Sequence, residues 1–226
     1  MVDYAGAFEK PFTDIEKLLL GILFDIIPII NLLSFGYEIK CSGVGKEKPS
    51  KKMPEWNNFG RLFLNGLLAL IIILIYLIPA AILLALCIGP TIVDTINTFP
   101  PTMLQDGTIA HRFISLGQYI HPEPFEVPCL CALLLVALAL YLLPAAILRY
   151  IENERFKDIF DFRKIFRVAF KGNYLLTIIV TLVLWLILTS LLRFIPFLGC
   201  AIASFISGVI GLSLFGQAYL ENSKKK

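Results

Sequence analysis

Charge is scarce in this 226-residue chain: 16% of its residues are Asp, Glu, Lys or Arg, against roughly a quarter in soluble domains. With 58% hydrophobic residues and a mean hydropathy of +0.79, it has more apolar surface than a soluble fold could hide. The net charge of +3 is too small to point to nucleic acid, so no such partner is expected. Histidine is rarer still, with His111 and His121 the only two. They share residues 89–126 with Asp94, Asp106, Glu123 and Glu126, but no pair has the spacing of a preformed metal site. The five cysteines, Cys41, Cys87, Cys129, Cys131 and Cys200, are odd in number and form no CxxC pair. They read as small apolar residues, not as a disulfide or metal framework. No clustered acids, histidines or metal ligands occur at one membrane face, so neither an enzyme nor a cofactor is expected. A cleavable signal is missing too: the first seventeen residues mix Asp3, Glu9, Lys10, Asp14, Glu16 and Lys17 with Phe8 and Phe12. That mixture suits an amphipathic helix on the membrane surface.

What the chain has instead is long apolar runs. Those at 18–37, 62–88, 127–148, 174–192 and 194–219 each approach the ~20 residues a helix needs to cross ~30 Å of hydrocarbon. The predicted fold is all-α: one polytopic membrane domain over residues 1–226, with about five spans and amphipathic interfacial helices. The first run is flawed by Asp25, Pro28 and Asn31, so it either crosses or re-enters as a hairpin bent at Pro28. Orientation follows from the lysines and arginines. Residues 38–61 carry six and residues 149–171 carry seven, whereas residues 89–126 carry only Arg112. The basic loops and the Lys224, Lys225, Lys226 tail are therefore expected in the cytoplasm, in a multi-pass cell-membrane protein. Five crossings would leave the N-terminus outside; a re-entrant first run would return it to the cytoplasm.

Two octets nearly coincide, YLIPAAIL at 76–83 and YLLPAAIL at 141–148. RLFLNG at 61–66 and RVAFKG at 167–172 form a weaker pair. Together they suggest an internal repeat, and in many transporters the substrate sits where repeats meet. Pro79 and Pro144 each remove a backbone donor and should kink their helices, and Tyr76 and Tyr141, three residues earlier, could serve the freed groups or a shared polar cavity. Convergence of two Leu-, Ile- and Ala-rich segments on one string is the alternative to a repeat, and kinks used only for packing are the plainer reading of the two prolines. Polarity inside the apolar runs is otherwise concentrated in three places: Asp25 with Asn31, a stripe of Asn173, Thr177, Thr181, Trp185 and Thr189, and a small-residue stripe of Gly199, Ala203, Ser207 and Gly211. Asp25 should be protonated, paired or hydrated if it lies in hydrocarbon. The second stripe predicts close helix packing, and the first predicts hydrogen bonds between helices or a polar pathway.

Between the third and fourth runs, Phe156, Ile159, Phe160, Ile165, Phe166 and Phe170 alternate with charged residues, the pattern of an amphipathic elbow on the inner leaflet. Anionic headgroups would favour its seven basic residues, although four acidic ones offset them. Residues 109–120 have similar spacing and predict a second surface helix, on the outer side.

The succession Phe35-Gly-Tyr-Glu38, Met53-Pro-Glu-Trp56, Phe59, Gly66, Tyr141 with Pro144, Phe156 to Phe160, Ile195-Pro-Phe-Leu-Gly199 and Gly216-Gln-Ala-Tyr219 resembles the prokaryotic, largely archaeal family known as domain of unknown function 4013. The resemblance covers nearly the whole chain. It implies a helical membrane protein without an assigned activity, similar in layout to the membrane domain that accompanies some glycerophosphodiester phosphodiesterases, and it carries no catalytic or binding residues over. The expected role is a non-enzymatic membrane module that engages the bilayer, anionic headgroups or partner proteins. The competing role is a small transporter or channel with a site at the repeat interface near Asp25, drawing on Asn31, Tyr76 and Tyr141.

Overall fold

The computed structural model describes residues 2–45, 49–98, 126–195 and 197–224. Regular structure among them is entirely helical. In chain order it comprises α1 (Tyr4–Glu9), a 3-10 turn (Lys10–Thr13), α2 (Ile15–Ile26), α3 (Asn31–Cys41), α4 (Phe59–Thr98), α5 (Glu126–Asn153), a second 3-10 turn (Phe156–Phe160), α6 (Phe162–Ala169), α7 (Gly172–Leu192) and α8 (Leu198–Lys224). The chain divides into two compact units, residues 1–73 with 141–226 and residues 74–140. The long loop and surface helix expected within 89–126 fall largely outside the described residues.

Four stretches are long and apolar enough to cross a membrane: Phe59–Leu86, Cys129–Asn153, Gly172–Leu192 and Leu198–Ser223. They correspond to four of the five expected spans. The remaining one, at 18–37, is not a single helix. The residue before a proline is driven out of the helical region, and Ile27 accordingly ends α2 in an extended conformation with ψ 116°. Pro28 and Ile29, whose φ is 73°, complete the turn. The Ser34 hydroxyl then donates to the Gly21 carbonyl at 3.2 Å and closes α3 on α2. At 12 and 11 residues, neither helix can cross alone. The first run is therefore the bent hairpin, not a crossing, and its two ends emerge together. The Asp3 N–H donates to Gln217 Oε1 at 2.6 Å, so the start of the chain sits beside the C-terminal part of α8, as the re-entrant alternative expects.

In the larger unit α8 is the centre, with 72% of its span buried, whereas α7 has 6%. α7 packs along it most extensively, and α1, α2, α3 and α6 also rest against it. The small-residue stripe does what its spacing predicts: Ala203 and Ser207 are buried, and a Cβ on Gly211 would stand 2.6 Å from the Thr181 methyl. The hairpin packs on α4 more tightly still. A Cβ on Gly36 would lie 1.9 Å from the Leu62 carbonyl oxygen, and one on Gly66 would lie 1.9 Å from that of Leu32, so only paired glycines let these backbones touch. Gly66 is seven residues into α4, about 10 Å along a helix rising 1.5 Å per residue. The hairpin tip carries exposed Ile26, Ile27, Ile29 and Ile30 beside the exposed Asn31, an apolar turn suited to dipping into hydrocarbon.

The polar stripe on α7 behaves differently from the expectation of bonds across helices. The hydroxyls of Thr177 and Thr189 donate to the carbonyls of Asn173 and Trp185, four residues back on their own helix. Trp185 is exposed, and Thr181 Oγ1 is buried without a partner among the described residues. Only Asn173 bonds to another helix, donating to Glu221 at 3.1 Å. A threonine in a helix always has an acceptor one turn back, so the stripe needs no neighbour.

The two octets occupy unlike surroundings. Ala145, Ala146, Ile147 and Leu148 are buried, whereas Pro79, Ala81 and Ile82 are exposed on α4 in the smaller unit. The weaker pair also separates, because Gly66 meets a backbone and Gly172 faces open space.

Candidate functional site

The base of the hairpin is held by the connection to α4. Trp56 stacks on Tyr37 with ring centroids 3.8 Å apart and planes 4° from parallel, and meets Phe24 edge-on at 5.3 Å. Its indole N–H donates to the Lys17 carbonyl at 3.2 Å, and the Tyr37 hydroxyl donates to the Pro54 carbonyl at 2.7 Å. Each such aromatic pair contributes ~0.5–1.5 kcal/mol beyond its burial. Lys17 pairs with Asp14 at 3.0 Å and Glu55 at 2.7 Å, and these hydrogen bonds raise its pKa. Lys40 donates to the Glu55 carbonyl and to Asn57 Oδ1. The segments FGYE and MPEW thus meet in space as a polar and aromatic clasp at the mouth of the hairpin.

Inside the clasp, two carboxyl groups face α8. Asp25, one residue before the end of α2, is half-buried with the Ser204 hydroxyl in hydrogen-bonding reach. Glu38 is 7% exposed, lies near enough to Asp25 to sense its charge, and has its carboxyl where a side chain on Gly208 would be, 2.2 Å from a Cβ there. Glycine at 208 is what makes room for it. Lys10 is a third buried charge, 3% exposed, with the Cys41 carbonyl at 2.6 Å its one hydrogen-bond partner among the described residues.

The residues expected to form a ligand site stand on four different helices. Asn31 shares the hairpin with Asp25 but is exposed at the tip. Tyr76 belongs to the unit of residues 74–140 and is half-buried there. Tyr141 belongs to the larger unit and donates to the Ala169 carbonyl at 2.6 Å, which fastens α5 to the end of α6. The group that serves the kink at Pro144 is Tyr174. Its hydroxyl donates to the Tyr141 carbonyl at 3.0 Å and accepts from the Ala145 N–H at 3.1 Å, standing between the two groups an unbroken helix would join. No spacing within one helix could have revealed Tyr174, because its partner lies on another. Glu38 was visible only as part of a motif, with nothing marking it as buried.

The elbow turns an aromatic face outward. Phe156, Phe160, Phe162, Phe166 and Phe170 are all exposed, while Ile159, Ile165 and Val168 are buried beneath them. Asn222 and Lys171 tie it to the end of α8, through the Val168 and Asn222 carbonyls respectively. Asp161 binds Lys164 at 3.0 Å and Arg149 at 3.2 Å, and the Lys164 hydrogen bond leads in lowering its pKa. Arg163 and Arg167 are exposed one turn apart and make no ion pair among the described residues.

No group of three or more His, Cys, Asp or Glu residues that could hold a metal ion occurs among the described residues. No curated protein and no solved structure matches the chain. A family model described as protein of unknown function (DUF4013) matches residues 19–216, from the first turns of the hairpin to the end of α8 that receives it, and the chain belongs to that family.

Proposed function

We propose that this membrane protein is a non-enzymatic module of the cell membrane that gathers anionic lipid at its cytoplasmic face through the elbow. The observation that carries the reading is the pairing of five exposed phenylalanines with two uncommitted arginines on one short amphipathic segment. The rings suit the boundary between headgroups and acyl chains, and the arginines then lie at phosphate level. At about 1 kcal/mol per basic residue near an anionic surface, Arg163 and Arg167 supply about 2 kcal/mol, or about 30-fold local enrichment at low salt. Reconstitution with spin-labelled phosphatidylglycerol and phosphatidylcholine tests this. The protein should immobilise the anionic lipid preferentially, and Arg163→Gln with Arg167→Gln should remove most of the preference, as should 1 M salt. Equal immobilisation of the two lipids by the unaltered protein would refute the role.

A second reading, a small transporter, is favoured by Asp25 and Glu38 lying within each other's field along α8. Proteoliposomes that conduct protons or alkali cations, and lose that flux but not their fold on Asp25→Asn, would replace the first reading with this one.

A further inference from the structure

At the start of α4 a pocket of about 70 Å³ opens between the clasp and the end of α5. Its floor is apolar, with Ile39, Leu62 and Ile151, and its wall carries Lys40, Asn57, Asn58, Arg61 and Asn65. An adjoining groove of about 230 Å³ shares Arg61, Asn65 and Ile151 and continues past Leu64 and Tyr150. Two cations and three amides around a space this small form an unusual wall for the mouth of a membrane helix. Asn65 is the most telling member. It stands one turn beyond Arg61 on the same face of α4, and its amide has no hydrogen-bond partner among the described residues. A polar group left unpaired at membrane depth is costly unless something polar covers it. The Asn58 amide, at the turn into α4, is likewise without a partner among the described residues. Among the described residues Arg61 is held by Glu154 alone, in a pair about half exposed on both sides. Such pairs are worth little, ~0–1 kcal/mol, and most of the five guanidinium donors stay available.

We infer that this pocket seats a phosphate group, with Arg61 and the amides of Asn58 and Asn65 donating to its oxygens and Lys40 adding charge. A tetrahedral oxyanion fits the space, and Arg offers the paired donors that phosphate accepts best. The groove past Leu64 and Tyr150 gives an attached glycerol and acyl chain an apolar path, so a phospholipid with a small headgroup and a free phosphate share the same chemistry. The inference rests on the reading of a lipid-binding module, but it uses different residues from the elbow. Full-length protein in dodecyl maltoside and phosphate-free buffer is titrated with dihexanoyl phosphatidic acid, inorganic phosphate or dihexanoyl phosphatidylcholine, and followed by thermal unfolding. Ligand bound only by the folded state raises the transition with saturation. Phosphatidic acid should do so, with half-saturation shifted at least 10-fold by Asn65→Leu, which suits a membrane helix, and by Asn58→Asp, which keeps a helix-capping residue and repels the anion. With Arg163→Gln and Arg167→Gln also in place, Asn65→Leu should still shift the half-saturation at least 10-fold. A matching response to inorganic phosphate identifies the free ion as sufficient; a response to the lipid alone identifies the headgroup. No saturable rise with either probe, an equal rise with phosphatidylcholine, or wild-type titrations in both asparagine variants would overturn the site. So would a response lost only in the elbow variant, which would leave the elbow reading standing.

Discussion

Removing one oxygen, with Tyr174→Phe, isolates the repair of the α5 kink. The ring is fully buried and the phenylalanine fits the same space, so no cavity forms and the loss falls on two hydrogen bonds. Interhelical hydrogen bonds in membrane proteins are worth ~0.6 kcal/mol on average and up to ~1.7. Leaving a buried donor or acceptor unsatisfied costs ~1–3 kcal/mol. The Ala145 N–H and the Tyr141 carbonyl recover part of that only if they approach each other, and the Pro144 ring between them resists straightening. The expected loss is therefore about 2 kcal/mol, measurable by reversible unfolding in mixed micelles. A double-mutant cycle sharpens the test. In a Pro144→Ala background the helix can close its own rungs, so Tyr174→Phe should cost less there, with a coupling of about 1 kcal/mol. Equal cost in both backgrounds would refute the idea that the hydroxyl serves the kink, and a loss below about 0.5 kcal/mol in the native background would refute the ledger as a whole.

Three further outcomes follow from the packing. Gly36→Ala drives a methyl into the Leu62 carbonyl and should cost more than ~3 kcal/mol, whereas Gly60→Ala, facing open space, should be close to neutral; thermal stability of the two variants decides it. Burial holds the Lys10 ammonium below its ordinary pKa of 10.5. Between the lowered value and 10.5 the unfolded chain binds more protons, so its contribution makes stability rise with pH over that window, and Lys10→Met should flatten that rise in unfolding scans run up to pH 10.5. On a cysteine-depleted background, Glu9→Cys, Lys52→Cys and Ser223→Cys should resist an impermeant thiol reagent in intact cells while Asp106→Cys reacts; modification of Glu9→Cys alone among the first three would show that the first run crosses after all.

Much of the fold could be read from apolar run length, because hydrocarbon thickness imposes nearly the same length on every span. The four long runs became four long helices for that reason. The run at 18–37 was ambiguous because its length suited a crossing while Pro28 suited a turn, and the choice depended on partners far away: Gly66 for α3 and Phe205 for Gly21. The octets are a different case. Alanine, leucine and proline recur in membrane helices whether a face meets lipid or protein, so similar strings at 76–83 and 141–148 say little about environment. As for candidate sites, Asp25 was conspicuous because it interrupts an apolar run. Glu38 and Asn65 lie at the ends of such runs and Lys10 in the charged opening segment, where polar residues are ordinary, and only tertiary packing distinguishes them from solvated neighbours.

The joining of Asp3 to Gln217, and of the hairpin to α8, has a consequence for how the protein is made. A chain emerges from the ribosome N-terminus first, so the hairpin is synthesised about 160 residues before the helix that receives it. Its helices are too short to be inserted as a span; α4 can meet Gly36 early, but Gly21 and the Glu38 carboxyl have their partners, Phe205 and Gly208, only on α8. The exposed apolar side that includes Phe12, Ile15, Leu19 and Leu23 suits the opening segment to the membrane until then. Premature termination before α8 would leave the hairpin without the helix that covers Gly21 and Glu38, so α8 completes a segment made long before it.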